Sequence, residues 1–336
     1  MTETVAILGA GAWGTALAVH LARATAPPAI LLWARDQAQA RAMREQRENS
    51  RYLPGVALPG VITIVDDAVK AVSAATLILV ATPIAALPAV AAKFAGHSRA
   101  PLVWLGKGFV ASDTGPAGVA LAHRVIAPLW AAPVGVVSGP SFAEEVAAGL
   151  PTAVSVAATD AGVAESVAQC LRGDALRAYV SDDLTGVEVG GAVKNVLAIA
   201  AGASDGLRFG NNARAALITR GLAETGRLSA ALGGKRETLM GLAGLGDLIL
   251  TCTGDLSRNR RVGLGLARGD TLADVLEKLG HVAEGVAAAR AAHALAGALG
   301  IDMPIVAAVY RVLYEGLAPK QAVAALLARE PAREFD

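Results

Sequence analysis

Three glycines near the start of the sequence have the type and spacing of a loop that binds phosphate. Gly9, Gly11 and Gly14 form the pattern G-x-G-x-x-G in ILGAGAWGTALA, directly after the short apolar run of residues 5–8. In such a pattern the first glycine permits a tight turn, the second lets backbone N–H groups approach a pyrophosphate, and the third lets the following helix pack on its strand. The helix N-terminus adds positive potential. The pattern predicts a dinucleotide-binding loop; the alternative is a glycine-rich turn without a ligand.

The residue after the second apolar run bears on which dinucleotide would bind. The stretch LLWARD places Arg35 and then Asp36 at this point. An acidic residue about twenty positions beyond the glycines bonds the ribose of NAD, whereas a guanidinium can bind the 2′-phosphate of NADP. We interpret Arg35 as competence for NADPH and expect NADPH to be preferred over NADH. The alternative is that Arg35 is a solvated charge paired with Asp36.

Two lysines lie among small or apolar neighbours, where an amine could transfer a proton. Lys194 lies in GGAVKNV, with Gly190 and Gly191 one helical turn before it, and these small residues leave room for a cofactor or substrate. Apolar surroundings lower the pKa of a lysine toward the working range of a general acid. The alternative is a lysine that extends from a helix end into solvent. Lys107, in WLGKGF, follows the fifth predicted strand at its carboxyl end, where open α/β sheets bind ligands.

A third polar group lies further along the chain. Asp247 stands between Leu245-Gly246 and an apolar run, and the basic run SRNRR follows at residues 257–261. Arginine binds phosphate through two parallel hydrogen bonds, so serine, arginine and asparagine in succession predict a grip for a phosphate or a polyol. The alternative is a solvated basic face.

Alternating strands and helices must position these groups in the first half of the chain. Apolar runs typical of buried parallel strands span residues 5–8, 29–33, 61–65, 76–81, 102–105 and 134–137, and runs at 153–158 and 176–180 extend the sheet or cover its edge. From about Thr185 the chain is alanine-rich and helical, without a convincing strand. We predict an α/β fold in which an N-terminal Rossmann-type dinucleotide-binding domain, residues 1–184, is followed by an all-helical C-terminal substrate domain, residues 185–336.

Composition and charge exclude several classes of partner. The 30 basic and 29 acidic residues leave a formal net charge of +1, which gives no general attraction to nucleic acid or anionic membranes. Prolines interrupt the longest apolar stretch, residues 76–92, which therefore predicts a buried strand and turn and no membrane span. The N-terminus lacks the basic start of a secretory signal, and Cys170 and Cys252 form neither a disulfide framework nor a metal cluster. We expect a metal-free cytoplasmic protein.

The order of the motifs resembles one enzyme family. GAGAWGTALA, LGKG, SGPSFAEEV, GAVKN, GLAGLGDLILTCT, SRNR, VAEGV and MPIVAAVYRVLYEG follow one another between residues 7 and 316, as in the bacterial-type NAD(P)-dependent glycerol-3-phosphate dehydrogenases. The resemblance implies reversible hydride transfer between NADPH or NADH and dihydroxyacetone phosphate, which gives sn-glycerol 3-phosphate for phospholipid synthesis. It implies that Lys194 exchanges the proton at the substrate oxygen, that Asp247 orients Lys194 and sustains its charge, and that Lys107 completes the catalytic group.

The resemblance also assigns binding residues. Around the substrate it places Lys107, Gly139, Ser141, Lys194, Asp247, Ser257, Arg258 and Asn259. Around the cofactor it places Gly9, Gly11, Trp13, Gly14, Arg35, Lys107, Ala143, Arg258, Val282 and Glu284. One departure is Ala12, where the family often has serine before its tryptophan; this removes a possible hydroxyl contact to the cofactor phosphates, but backbone N–H groups can carry the binding.

Rival functions would require other residues. A related β-hydroxyacid dehydrogenase or ketopantoate reductase would need a grip for a carboxylate and not the run Ser257-Arg258-Asn259. A protein that senses a nucleotide without catalysis would not need Lys194 and Asp247. The apolar faces of the alanine-rich helices could also form a homodimer.

Overall fold

The computed structural model describes residues 3–280 and 283–329 of the chain. The chain forms two compact units: Met1–Gly106 with Ala122–Leu184, and Lys107–Leu121 with Thr185–Asp336. The sequence pattern predicts that residues 107–121 belong to the first domain, whereas the structure places them in the second unit. The reason is apolar packing, because Phe109 and Leu121 are buried in the core of the second unit.

The first unit is a parallel sheet with crossover helices. In chain order its elements, together with the hairpin strands β8 and β9 that belong to the second unit, are β1 (Thr4–Leu8), α1 (Ala12–Leu21), β2 (Ala29–Trp33), α2 (Gln37–Gln46), β3 (Glu48–Asn49), β4 (Leu53–Ala57), β5 (Ile62–Val65), α3 (Ala68–Ala74), β6 (Leu77–Val80), α4 (Leu87–Phe94), β7 (Leu102–Trp104), β8 (Val110–Ala111), β9 (Val119–Ala120), α5 (Ala122–Ile126), β10 (Val134–Ser138), α6 (Ala143–Ala148), β11 (Thr152–Ala158), α7 (Ala161–Leu171) and β12 (Leu176–Val180). Each apolar run that the sequence analysis assigned to the sheet forms a strand, which confirms those predictions.

The order of the strands creates a switch point beside the glycines. The sheet runs β12-β11-β10-β7-β6-β1-β2-β5, and its neighbours are parallel except β10 and β11. From β1 the chain adds β2 and β5 on one side and then returns to add β6 on the other side. Ligands of open α/β sheets bind at the carboxyl ends of the strands where the order reverses. In this unit that point is the end of β1, where the glycine loop begins.

The residues of β1 explain why this strand lies inside the sheet and not at its edge. Residues 5–8 are all fully buried, so side chains on both faces of the strand are covered. A continuous apolar run without polar alternation is typical of a strand that has helices on both sides of its sheet. The α/β fold is therefore built around the strand that presents the loop.

The second unit is helical after its β8–β9 hairpin. Its helices are α8 (Leu184–Gly206), α9 (Gly210–Ala231), α10 (Arg236–Leu239), α11 (Asp247–Thr253), α12 (Arg258–Ala267), α13 (Leu272–Leu279), α14 (Glu284–Leu299), α15 (Pro304–Tyr314) and α16 (Pro319–Leu327). Within the described ranges, no strand follows β12. The all-helical character that the sequence predicts after residue 185 is confirmed for this part of the chain.

One helix of the second unit is long and mostly apolar. α8 is long and apolar enough to cross a membrane by length and composition, but 83% of its most apolar window is buried inside the protein. A second candidate is the bent pair Arg236–Thr253 and Arg258–Ala267, which passes the same test only when the two segments are counted as one span. The apolar surface of α8 is taken up by packing within the fold.

Candidate active site

The fold of the first unit requires glycine at two positions of the glycine loop. Gly9 has a φ of +120°, and a Cβ atom there would lie 2.9 Å from the carbonyl carbon of Ala81. Gly14 lies in α1, and a Cβ atom there would clash with the carbonyl of Gly9 and lie 2.8 Å from the Cβ of Ala81. These two positions let the turn form and let α1 approach the chain just after β6.

Gly11 is not explained by the fold. Its φ of −78° suits any residue, and a Cβ atom there would meet no described atom within 4 Å. The glycine therefore borders a space that no described residue fills. Gly11 is also the N-cap of α1 and offers no side-chain cap, so the first N–H groups of the helix are left for an external acceptor. The residues present fit the pyrophosphate of a dinucleotide.

A buried hydroxyl lies beside this loop. The backbone N of Thr82 is 3.1 Å from the position of a Gly9 Cβ atom, and the Oγ1 atom of Thr82 is buried without a hydrogen-bond partner among the described residues. Buried hydroxyls normally have a partner. An unsatisfied donor here is a further feature that suits a polar ligand at the end of β1 and β6.

Arg35 and Asp36, which both follow β2, have different surroundings. The carboxylate of Asp36 caps α2 by accepting from the backbone N atoms of Ala38 and Gln39, and it also pairs with Arg51 at 3.2 Å. Arg35 is exposed, and no described residue forms an ion pair with it. The alternative in which Arg35 pairs with Asp36 is therefore not what the structure shows.

The other predicted residues of the first unit lie near the ends of its elements. Trp13 is half-buried in α1 and packs on the core. Gly139 follows β10 with a φ of +140°, and a Cβ atom there would lie 3.0 Å from the Cα of Val154, so backbone and packing explain this glycine. The Ser141 hydroxyl donates to the Gly139 carbonyl at 3.0 Å, and Ala143 begins α6. Gly139, Ser141 and Ala143 thus lie in the short connection from β10 to α6 at the carboxyl end of the strand.

In the second unit, one carboxylate joins the two predicted lysines. The Nζ of Lys194 lies 2.5 Å from Oδ1 of Asp247, and the Nζ of Lys107 lies 2.5 Å from Oδ2. Asp247 is 1% exposed and Lys194 is 8% exposed. Lys194 lies within α8, Asp247 begins α11, and Lys107 precedes the β8–β9 hairpin. The structure brings together these three residues, which are widely separated in the sequence.

Burial and charge set the protonation of this cluster. Burial, together with the charge of Lys107, lowers the pKa of Lys194 to about 8, although the Asp247 carboxylate raises it. Burial alone would raise the pKa of Asp247, but the charges of Lys107 and Lys194 outweigh it and hold that pKa below its usual range. The aspartate is therefore ionised at neutral pH, and Lys194 can gain or lose its proton near neutrality.

Thr251 is a member of this cluster that the sequence analysis missed. The ammonium of Lys194 donates to Oγ1 of Thr251 at 2.9 Å, and the Thr251 hydroxyl donates to the Asp247 carbonyl at 2.6 Å. The signal was present, because residues four apart on a helix share a face and Thr251 lies four residues after Asp247. Thr251 fixes the direction of the Lys194 amine.

Gly190 has a different role from the one expected. A Cβ atom there would lie 2.5 Å from the carbonyl oxygen of Ala243, so the space beside the glycine is filled by backbone and not by a ligand. The expectation that Gly190 leaves room for a cofactor or substrate is wrong. Instead the glycine lets α8 approach the π-helical segment Leu242–Gly246, which leads directly into Asp247. Such segments are frequent at functional sites.

The run SRNRR begins α12, and only part of it is exposed. Ser257 is buried, and its hydroxyl caps the helix by accepting from the Arg260 N at 3.2 Å. Asn259 is also buried; its Nδ2 donates to Oδ1 of Asn195 at 2.9 Å, and its Oδ1 accepts from the Gly285 N at 3.0 Å. The Arg258 side chain is exposed. Ser257 and Asn259 thus shape the helix start that presents Arg258.

The hydrogen bond to Gly285 joins this helix start to α14. Glu284 is the first residue of α14, and Val282 lies outside the described residues. Asn195, the residue after Lys194, was missed by the sequence analysis and takes part in the same chain of hydrogen bonds. The predicted substrate residue Asn259 and the predicted cofactor residue Glu284 are therefore close neighbours in the second unit.

Comparison with known proteins shows which protein family the chain matches. The profile described as NAD-dependent glycerol-3-phosphate dehydrogenase N-terminus matches residues 4–164, and the corresponding C-terminus profile matches residues 183–324. A protein from Polaromonas naphthalenivorans named glycerol-3-phosphate dehydrogenase [NAD(P)+] is 52% identical, with 99% of each chain covered. A relative of the same name from an Acidovorax species is 54% identical over 98% of this chain and 99% of its own.

A solved structure gives the same result in three dimensions. The crystal structure of glycerol-3-phosphate dehydrogenase from Coxiella burnetii is 44% identical and superposes with a TM-score of 0.92 over 98% of this chain and 99% of its own. The N-terminus profile covers the glycine loop, and the C-terminus profile covers Lys194 and Asp247. With a helical unit that carries this cluster after a Rossmann-type unit, the chain belongs to the NAD-dependent glycerol-3-phosphate dehydrogenase family.

Proposed function

We propose that the protein catalyses the reversible reduction of dihydroxyacetone phosphate to sn-glycerol 3-phosphate, with NADPH or NADH as cofactor. The observation that carries this proposal is the buried Asp247 carboxylate, which binds Lys194 and Lys107 through its two oxygens. The family of the chain and the names of its relatives support the reaction and both cofactors. A β-hydroxyacid dehydrogenase or ketopantoate reductase is not favoured, because both family profiles match this chain.

Lys194 is the proposed proton donor and acceptor at the substrate oxygen. With a pKa of about 8, its amine is mainly charged at neutral pH and can still lose its proton. As an ammonium it polarises the carbonyl of the ketone and supplies the proton; as a free amine it takes the proton from the alcohol. When bound, the nicotinamide cofactor supplies or takes up the hydride.

Asp247 and Lys107 prepare Lys194 for this exchange. Asp247 holds the ammonium at 2.5 Å and, together with Thr251, fixes its direction. When Lys194 gives up its proton, Asp247 keeps the charge of Lys107 as its partner, so no isolated buried charge remains. The charge of Lys107 also lowers the pKa of Lys194.

The remaining residues are proposed to bind the two reactants. For the dinucleotide, the helix start and open space at Gly11 support a pyrophosphate contact, and the exposed Arg35 supports a contact with a 2′-phosphate. For the substrate phosphate, the exposed Arg258 at the start of α12 is the proposed cation. We propose the same two functions for the other residues that the family resemblance assigns, which are Gly9, Trp13, Gly14, Ala143, Val282 and Glu284 for the cofactor and Gly139, Ser141, Ser257 and Asn259 for the substrate.

The setting of this activity is part of the proposal. Glycerol 3-phosphate is the precursor that phospholipid synthesis requires, and we propose that the protein supplies it in the cytoplasm. We further propose that apolar helical faces of the second unit form a homodimer. Sedimentation as a monomer at working concentration would contradict the dimer.

The activity is tested by following the absorbance of NADPH, and then of NADH, with dihydroxyacetone phosphate. The wild type should oxidise one or both, and Lys194→Ala should lose about 10²-fold or more of the rate. The matched control is Lys278→Ala, which removes an exposed lysine paired with Asp270 and should leave the rate unchanged. A wild type that binds NADPH but does not oxidise it with this substrate would overturn the proposed reaction.

A further inference from the structure

The carbonyl of Ala10, inside the glycine loop, is bound by two side chains from outside the loop. The Nε2 of Gln39 donates to it at 2.8 Å and the Nδ2 of Asn49 donates to it at 2.9 Å. Gln39 lies in α2 and Asn49 in β3, so both donors come from segments that follow the second strand of the sheet. Two donors on one carbonyl oxygen leave that peptide group a single orientation.

Asn49 is itself held firmly. It is 1% exposed, its Nδ2 also donates to Oγ1 of Thr15 at 2.7 Å, and its Oδ1 accepts from Nε2 of Gln39 at 3.3 Å. Thr15 lies in the first turn of α1, just after the loop. Because a carbonyl oxygen can only accept, the bond to Ala10 also fixes which end of the Asn49 amide faces the loop.

The hairpin that carries Asn49 is anchored by Arg47. Arg47 adopts a φ of +51°, and its guanidinium donates to the carbonyls of Leu58, Pro59 and Ile62 at 3.2, 2.5 and 3.0 Å. A strained conformation of a non-glycine residue persists only where its surroundings determine it. The contacts of Arg47 therefore hold the β3–β4 segment against the start of β5.

The orientation of the Ala10 carbonyl determines that of the next N–H group. The described peptide bonds are all trans, and in a trans peptide the C=O of one residue and the N–H of the next point in opposite directions. The bonds from Asn49 and Gln39 therefore turn the Gly11 N–H away from these two side chains. The space beside Gly11 is open, because no described atom lies within 4 Å of the position of a Cβ atom there.

We propose that Asn49 is a positioning residue that aims the Gly11 N–H at the cofactor pyrophosphate, with Gln39 as its secondary partner. Asn49 does not touch the cofactor in this role; it acts through the Ala10–Gly11 peptide. Without it, that peptide can rotate and present a carbonyl oxygen to an anion, which repels it. The inference rests on the proposed binding of a dinucleotide and explains a buried asparagine that the chemistry of the second unit does not use.

The test compares a ligand that contains the pyrophosphate with one that lacks it. Calorimetry measures the Kd of the dinucleotide that the wild type prefers, and the Kd of the matching fragment, adenosine 2′-phosphate for NADPH or adenosine for NADH. Asn49→Ala should weaken dinucleotide binding about tenfold, the equivalent of one lost hydrogen bond, and change the Kd of the fragment less than about twofold. The matched control is Glu48→Ala, which removes a hydrogen bond to the Gly55 N within the same hairpin and should change neither Kd.

The outcomes separate this inference from the proposed reaction. If Asn49→Ala binds the dinucleotide as the wild type does, or weakens both ligands equally, the positioning role is overturned. Should Asn49→Ala not fold, Asn49→Asp keeps the size of the side chain but removes its Nδ2 donor to the Ala10 carbonyl, and an unchanged dinucleotide Kd there overturns the role as well. A wild type that binds neither dinucleotide also overturns it. A wild type that binds NADPH without oxidising it contradicts only the proposed reaction.

Discussion

The Nζ atom of Lys194 lies 2.5 Å from a carboxylate oxygen of Asp247, and both residues are buried. The contact balances two opposing effects. Burial lowers the pKa of the lysine, and the carboxylate raises it, so that the amine titrates at about 8. The pair keeps a proton available at a site where burial away from water would otherwise disfavour the charged amine.

Removal of the carboxylate should shift this balance. In Asp247→Asn, burial and the charge of Lys107 act on Lys194 without opposition, so the pKa of Lys194 falls below about 8. We expect kcat/KM for ketone reduction at pH 7 to fall by about 10²-fold or more, and its pH profile to move to lower pH. Asp255→Asn, at a carboxylate with 95% side-chain exposure, is the control and should change neither. An Asp247→Asn profile with the wild-type midpoint would contradict the assignment.

The two directions of the reaction should respond oppositely to pH. Reduction requires the Lys194 ammonium, so kcat/KM for the ketone should decrease as pH rises through about 8. Oxidation of the alcohol requires the free amine, so its kcat/KM should increase over the same range. Rates measured in both directions from pH 6 to pH 10 check this. Profiles that change in the same direction would mean that another group controls the rate.

The hydroxyl of Thr251 should influence the rate through the direction of the Lys194 amine. Thr251→Val keeps the shape of the side chain but removes the acceptor at 2.9 Å, and we expect kcat to fall about tenfold, as for one lost hydrogen bond. Thr251→Ser keeps the hydroxyl and should retain most of the activity. The test measures kcat and KM of both variants, and thermal unfolding checks that both remain as stable as the wild type. Equal loss in both variants would show that the methyl group matters instead.

The close approach of Gly190 to the Ala243 backbone should make a larger side chain at position 190 destabilising. Gly190→Ala places a methyl group 2.5 Å from the Ala243 carbonyl oxygen, and we expect the free energy of unfolding to fall by about 1–3 kcal/mol. The segment that leads to Asp247 should shift, so kcat should also fall. Gly297→Ala is the control: this glycine lies within α14, no described atom outside its own helix lies within 4 Å of its Cβ position, and alanine should stabilise by about 0.5–1 kcal/mol. Denaturant unfolding measures both; a stable, active Gly190→Ala would contradict the packing argument.

Arg35 should distinguish the two cofactors. Loss of a cation that binds a 2′-phosphate should weaken NADPH binding by about 1.5–3 kcal/mol, roughly ten- to hundredfold, and leave the Kd of NADH unchanged. Calorimetric titration of Arg35→Ala with both cofactors checks this. Arg44→Ala removes a neighbouring arginine that pairs with Asp66 and should alter neither Kd. Unchanged NADPH binding in Arg35→Ala would remove Arg35 from the site.

Local patterns predicted most of the fold and part of the site. The apolar runs of the sheet are short-range signals, and each forms a strand: the central ones are buried on both faces, whereas the edge strands β5 and β12 alternate buried and more exposed residues. The G-x-G-x-x-G spacing and the helix around Lys194 are equally local. Asp247 was recognisable by its polar character within an apolar segment.

Long-range contacts could not be predicted in this way. The contact between Lys107 and Asp247 spans 140 positions, and no periodicity encodes it. Asn49 reaches Ala10 from a two-residue strand that carries no motif. Gly190 shows the limit most clearly, because a glycine in a helix signals close approach but not whether a ligand or the Ala243 backbone makes it.

The division of residues 107–121 from the sheet has a consequence for the ancestry of such chains. The lysine–aspartate cluster belongs to no continuous piece of the sequence, since Lys107 enters the second unit before the first is complete. A genetic exchange at residue 184, where the composition changes, would join a Rossmann-type half to a helical half and replace the lysine partner of Asp247. A gene for residues 185–336 alone would therefore encode a helical unit in which Asp247 has Lys194 but not Lys107 as a partner.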